Sequence, residues 1–170
     1  MKKILALMLA LGLLTGCAAT SQVNSEYSGA DIDFAEMMIP HHEQAIVMSD
    51  LALTNSSSEE ILTLAQEIKA AQSPEIELMK SWSGVNASTH MGHMMDGMLS
   101  DSQIQQLQDS EGATFDRLFL EGMIAHHEGA ITMAQDVIDS DNKEVAGLAA
   151  AIIEAQEKEI ALMKDLLKRY

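Results

Sequence analysis

The chain has few residues that would crosslink it, stiffen it or attract a polyanion. A single cysteine, Cys17, stands among 170 residues, so no intrachain disulfide can form, and soft-metal chemistry falls to Met and His. Lysine and arginine number 10 against 26 acidic residues, a net charge of −16. A chain this acidic repels phosphate backbones, which argues against nucleic acid as a partner. Aromatics make up 4% of the chain; β-branched residues are also sparse, and no stretch alternates at period two, so strands are not expected. The most apolar run, near the N-terminus, is about ten residues long, too short to span a membrane. Prolines are limited to Pro40 and Pro74.

What is abundant is methionine, 13 residues, together with six histidines. The opening MKKILALMLALGLLTGC reads as an export signal over residues 1–16: two lysines, an apolar stretch, then Leu14-Thr15-Gly16-Cys17. Those four residues resemble a bacterial lipobox, which implies lipid on Cys17 and a membrane anchor; a plain secretory signal is the other reading. Residues 17–29 lack apolar periodicity and read as a flexible tether. Removal of residues 1–16 leaves 8 basic against 26 acidic residues, a net −18. The remaining 30–170 suffices for one domain.

The chain repeats itself at a shift of 85 residues. Phe34, Met38, Ile39, His41-His42-Glu43, Ala45-Ile46 and Met48 match Phe119, Met123, Ile124, His126-His127-Glu128, Ala130-Ile131 and Met133. Past the next turn the shift is 84, and Ile68, Gln72, Glu75, Ile76, Met79 and Lys80 match Ile152, Gln156, Glu159, Ile160, Met163 and Lys164. Each half, 31–82 and 114–168, holds two long helical patterns: about 31–53 and 58–82, then 114–139 and 142–168. Serines of the first turn supply the second N-cap. Four amphipathic helices with two short turns and one long connection give an all-α four-helix bundle built from a duplicated helix-turn-helix unit. Pro40 and Pro74 should kink the first two helices; their partners are Ala125 and Lys158, so the halves are not identical.

On a helical wheel with Phe34 at zero, His41 falls at about −20° and His42 at about 80°, on the apolar side. Glu36, Glu43 and Asp50 fall near 180° and should face water. Met38 and Met48 share stripes with the two histidines. Gln72 and Glu75, recurring as Gln156 and Glu159, lie on or near the buried face of the second helix in each half. A buried carboxylate needs a partner, and the imidazoles of the neighbouring helix supply one, which would orient them as outer groups orient metal-bound His. Duplicated core packing, with His satisfied by Glu or Gln and Met as filler, is the competing reading.

The connection 86–100 contains THMGHMMDGML, with His90, Met91, His93, Met94, Met95 and Met98 in a glycine-punctuated loop. Packing gives no reason for that composition in a water-exposed loop. Thioether with imidazole suits copper, thioether favouring Cu(I); a biased linker that binds metal weakly is the alternative. A short helix should follow within 100–112.

The repeated motif MIPHHEQAI, Met38 to Ile46, and MIAHHEGAI, Met123 to Ile131, together with Gln72, Glu75-Ile76 and Met79 and their second-half equivalents, resembles the domain of unknown function family 305 over about residues 30–170. The resemblance implies a ferritin-like bundle in an exported, often lipid-anchored protein, with copper binding known for some periplasmic members. It points to Met38, His41, His42, Met48, Met79, Met123, His126, His127, Met133 and Met163, besides the loop residues, as ligands. Ala125 departs from the motif proline, and the Met/His loop is not general to the family.

The reading is therefore a lipid-anchored copper-binding or copper-buffering protein of the bacterial cell envelope, Cu(I) favoured, with metal ions and the membrane as partners and no catalytic residue. A non-metal envelope module of the same fold is the alternative. A di-metal oxidoreductase fits less well, because three residues after Glu36 and Glu121 stand Ile39 and Ile124 rather than His. A zinc peptidase fails likewise, since Ile46 and Ile131 occupy the second ligand position.

Overall fold

The computed structural model describes residues 26–170; the signal segment, Cys17 and most of the tether lie outside the described residues. Five helices follow in order: α1 (Gly29–Asn55), α2 (Glu59–Ser81), α3 (Asp101–Gln108), α4 (Gly112–Gln135) and α5 (Lys143–Leu167). No strand occurs among the described residues, as the composition predicts. Helix α1 packs on α2 and α4 on α5, and the α1–α4 contact joins the two hairpins. The short α3 touches both α1 and α4.

The helix ends follow local chemistry. Ser28 and Asp31 form a reciprocal capping box at the start of α1, as do Ser100 and Gln103 at α3. Asn142 caps α5 by accepting from the Glu144 and Val145 N–H groups. Ser58 stands at the N-cap of α2, but its hydroxyl bonds the Glu60 carboxylate rather than the backbone. Pro40 and Pro74 both lie within continuous helices. Helix α4 stops four residues before the expected 139: Asp136 and Val137 bond carbonyls three residues back, a tighter turn that carries Val137 into the core.

The apolar core is divided in two. One cluster gathers Met48, Leu64, Ile68, Phe115, Phe119, Met123 and Met163; the other gathers Phe34, Met38, Met79, Trp82, Met133 and Val145. Along α1 the order is the second cluster and then the first, and along α4 the reverse, so these helices run antiparallel. Between the clusters every helix of the bundle contributes polar residues: His41 and His42, Gln72 and Glu75, His126 and His127, Gln156 and Glu159. The 85-residue repeat thus places one polar layer across the middle of the bundle.

Glu36 corrects the wheel. It is buried rather than solvent-facing and accepts the Asn86 N–H at 2.7 Å. The chain leaving α2 folds back over the outer face of α1, a contact that the periodicity of a single helix cannot reveal. Glu43 and Asp50 do face water and pair with Lys80 and Lys69; the first pairing recurs as Glu128 with Lys164.

Candidate metal centre

All four bundle histidines are fully buried. His42 Nε2 lies 2.9 Å from Glu75 Oε2, and His127 Nε2 lies 2.6 Å from Glu159 Oε2, so each hairpin makes the same pair. His41 Nε2 lies 3.1 Å from the backbone carbonyl of Asp96, in the middle connection. Each of these oxygens can only accept, so Nε2 carries the hydrogen, and in the neutral ring Nδ1 keeps its lone pair. The Nδ1 atoms of His41, His42 and His127 are buried and have no partner within the protein. Neither ring nitrogen of His126 makes a hydrogen bond of ordinary geometry, although the His41 carbonyl lies close by. Outer nitrogen held by oxygen and inner nitrogen bare is how metal-binding histidines are commonly arranged.

The two halves meet at this layer: the His41 and His126 rings lie 3.8 Å apart, centroid to centroid, tilted by 41°. Burial pushes the His41 imidazole down to about 3; the Asp96 carbonyl opposes the shift, and His42 and His127 add to it. Burial also holds His126 well below the ordinary range, with repulsion from His41, His127 and His42 acting in the same sense and the His41 carbonyl opposing. Both rings are therefore neutral at ordinary pH, the form that ligates metals.

The bundle methionines flank the layer. Met38, Met79 and Met133 stand on one side of it, Met48, Met123 and Met163 on the other, all buried. Gln72 and Gln156 are buried in the layer; neither amide atom of Gln72, nor Gln156 Oε1, has a protein partner. Among the described residues no three His, Asp or Glu side chains converge into a ready nest for an ion. The buried layer thus offers oriented imidazoles rather than a finished polyhedron.

The middle connection carries a second, open group. His90 Nδ1 and His93 Nδ1 lie 3.3 Å apart. Two nitrogens at that separation, each about 2.0–2.1 Å from a shared first-row ion, subtend about 107° at it, close to the tetrahedral value. Met91 and Met94 are 65% and 61% exposed. His93, Met94 and Met98 border an open hollow of about 470 Å³ that Pro40, Gln44 and Leu99 also line. Met95 is half-buried against the core cluster that holds Trp82.

This connection is pinned to the bundle by contacts absent from the sequence reading. Gln44 Nε2 donates to the Leu99 carbonyl at 2.8 Å, and the Leu99 N–H donates to Gln44 Oε1 at 2.7 Å. Gly97 adopts φ +82° against α4, and a Cβ on Gly129 would lie 1.9 Å from the Asp96 carbonyl oxygen. A glycine in mid-helix where the first repeat has Gln44 was the available signal.

The family model described as a domain of unknown function, DUF305, matches residues 31–167. The chain belongs to the DUF305 family. Among solved structures it is similar to a family protein from Streptomyces coelicolor thought to be secreted, at 32% identity and TM-score 0.74, covering 82% of this chain and 93% of that one. A DUF305 fragment from Deinococcus radiodurans aligns at 29% identity and TM-score 0.74, covering 84% and 98%. CopM in its Cu(II)-bound form aligns at 34% identity and TM-score 0.71, covering 82% and 96%; CopM structures with Cu(I) and with silver align too. No curated protein matches the chain.

Proposed function

We propose that this DUF305 protein binds copper in the bacterial cell envelope, taking ions at its exposed Met/His loop and holding them at the buried histidine layer. The observation that carries the reading is the layer itself. Three imidazoles have Nε2 tied to an oxygen acceptor and Nδ1 bare, a fourth makes no hydrogen bond of ordinary geometry, and methionines lie on either side. A layer serving only to satisfy the core would pair its polar atoms, because each buried polar atom left without a partner costs about 1–3 kcal/mol. The relationship to CopM, which has been solved with Cu(II), Cu(I) and silver, supports the same conclusion.

In this reading His90 and His93 with Met91, Met94 and Met98 form the capture site, and Met95 stands behind them. His41, His42, His126 and His127 form the inner site, with Met38, Met48, Met79, Met123, Met133 and Met163, which flank the layer, as candidate thioether donors. Glu75 and Glu159, with Gln72 and Gln156, orient and polarise the imidazoles. Neutral thioethers favour Cu(I) over Cu(II). Lipid on Cys17 would hold the protein at the membrane, and the acidic surface would draw cations toward it.

The test is anaerobic competition for Cu(I) against a weak chromophoric chelator. The wild-type protein should take up copper stoichiometrically, replacing Met91, Met94, Met95 and Met98 with Leu should remove part of that capacity, and His41→Gln with His126→Gln should remove another part. Wild-type protein that leaves all the copper on the chelator would end the copper reading.

A further inference from the structure

The two repeats differ where they would be expected to agree. Met37, Pro40 and Gln44 on α1 correspond to Gly122, Ala125 and Gly129 on α4, three small residues along one face of that helix. The middle connection lies in the groove they leave. A Cβ on Gly122 would meet the Leu99 side chain at 3.1 Å, a Cβ on Gly97 would lie 2.3 Å from the Ala125 carbonyl oxygen, and one on Gly129 would overlap Asp96. From the other side Gln44 grips both backbone groups of Leu99. The asymmetry of the duplication is the shape of a seat for this loop.

The seat has a chemical consequence, because its floor is the histidine layer. With Asp96 held against Gly129, its carbonyl accepts from His41 Nε2, and the His41 ring lies 3.8 Å from that of His126, tilted by 41°. The loop that carries His90, Met91, His93 and Met94 therefore ends, three residues after His93, on a buried imidazole whose Nε2 is held by a backbone carbonyl of the loop itself. His42 and His127 are instead held by carboxylates on their own hairpins.

We propose that Gly129 and Gln44 are positioning residues that hold the Met/His loop over His41, and that the Asp96 carbonyl is an exchangeable cap through which a soft metal ion passes from the loop to the buried His41 and His126. Ion entry lifts the Asp96–Leu99 segment from its seat. The cap releases His41 Nε2, and the ring becomes free to turn toward the incoming ion. Filling of the loop and of the inner layer are then sequential, with seat opening as the slow step between them. This inference rests on the copper reading of the two sites given above.

The experiment is stopped-flow transfer of Cu(I) from a weak chromophoric chelator to the intact protein under anaerobic conditions, with Gly129→Ala and Gln44→Ala as variants. Wild-type protein should show a fast phase from the loop and a slow phase that His126→Gln abolishes. Gly129→Ala forces Asp96 off its seat, and Gln44→Ala removes two hydrogen bonds while sparing the core, so it serves even if the glycine variant folds poorly. Each should quicken the slow phase by about tenfold or more, the scale of two lost neutral hydrogen bonds, and leave the fast phase and the total copper unchanged. A single phase in wild-type protein, or a slow phase that neither variant quickens, would overturn the cap while leaving copper binding intact. No copper uptake by wild-type protein would overturn the functional reading itself.

Discussion

Acid should unfold the metal-free protein earlier than its carboxylates alone would require, and His41 sets the scale. Its imidazole stands at about 3 in the folded chain because burial disfavours the cation, against about 6.5 when unfolded. The folded pKa lies below the unfolded one, so in acid the unfolded chain binds the extra proton. The stabilising contribution is complete above about pH 6.5 and is lost as pH falls toward 3. Between pH 7 and pH 5 the linkage amounts to about 2 kcal/mol for His41 alone, and the whole window to about 5 kcal/mol. His126 is depressed for the same reason and adds in the same direction. Against a total stability of about 5–15 kcal/mol for a domain of this kind, that is a large share, and about 2 kcal/mol of it is lost above pH 5, where most carboxylates are still ionised. Urea unfolding of metal-stripped protein, followed by far-UV circular dichroism at pH 7, 6 and 5 in the presence of a strong chelator, measures it. His41→Gln should flatten the slope by about one proton. A wild-type stability that does not change from pH 7 to pH 5, or a His41→Gln variant with an unchanged slope, would refute the burial of neutral imidazoles.

Glu75→Leu should lower the stability of metal-free protein by about 1–3 kcal/mol, because it leaves the His42 Nε2–H buried without an acceptor; in Cu(I) competition the same variant should lose about 10–100-fold in affinity. Replacing the exposed Met91 and Met94 by Leu should leave the urea midpoint within the equivalent of about 0.5 kcal/mol while reducing Cu(I) uptake, a split that packing residues would not show. Phe119→Ala, which removes a fully buried ring stacked on Phe115 at 5.9 Å, should cost about 3–5 kcal/mol in the same unfolding assay. Ser28→Ala should cost about 1 kcal/mol by opening the capping box at the start of α1.

The bundle and the inward direction of its histidines were legible because they depend on periodicity within a helix. A 3.6-residue repeat carries His41 and His42 to the same side as Phe34 and Met38, and the duplication states the pattern twice. The pairing of His42 with Glu75, and of His127 with Glu159, followed from the need of a buried carboxylate for a donor. Glu36 was misplaced because its partner, the Asn86 N–H, belongs to a connection whose path no helical wheel contains. The grip of Gln44 on Leu99 was invisible for the same reason: a side chain recognising backbone leaves no complementary residue type in the sequence.

The substitutions between the repeats held the missing information in another form. A duplicated hairpin needing only to pack on its twin would gain from retaining good helix formers on α4, since each glycine costs a helix about 1 kcal/mol relative to alanine. Helix α4 instead carries Gly122 and Gly129 where α1 carries Met37 and Gln44. Both glycines face the Asp96–Leu99 segment, and at Gly129 a single added methyl group would displace it. The helix loses propensity where the loop must come close enough for the Asp96 carbonyl to reach His41. Divergence between the halves therefore traces the path from surface to buried layer, whereas their agreement describes only the layer.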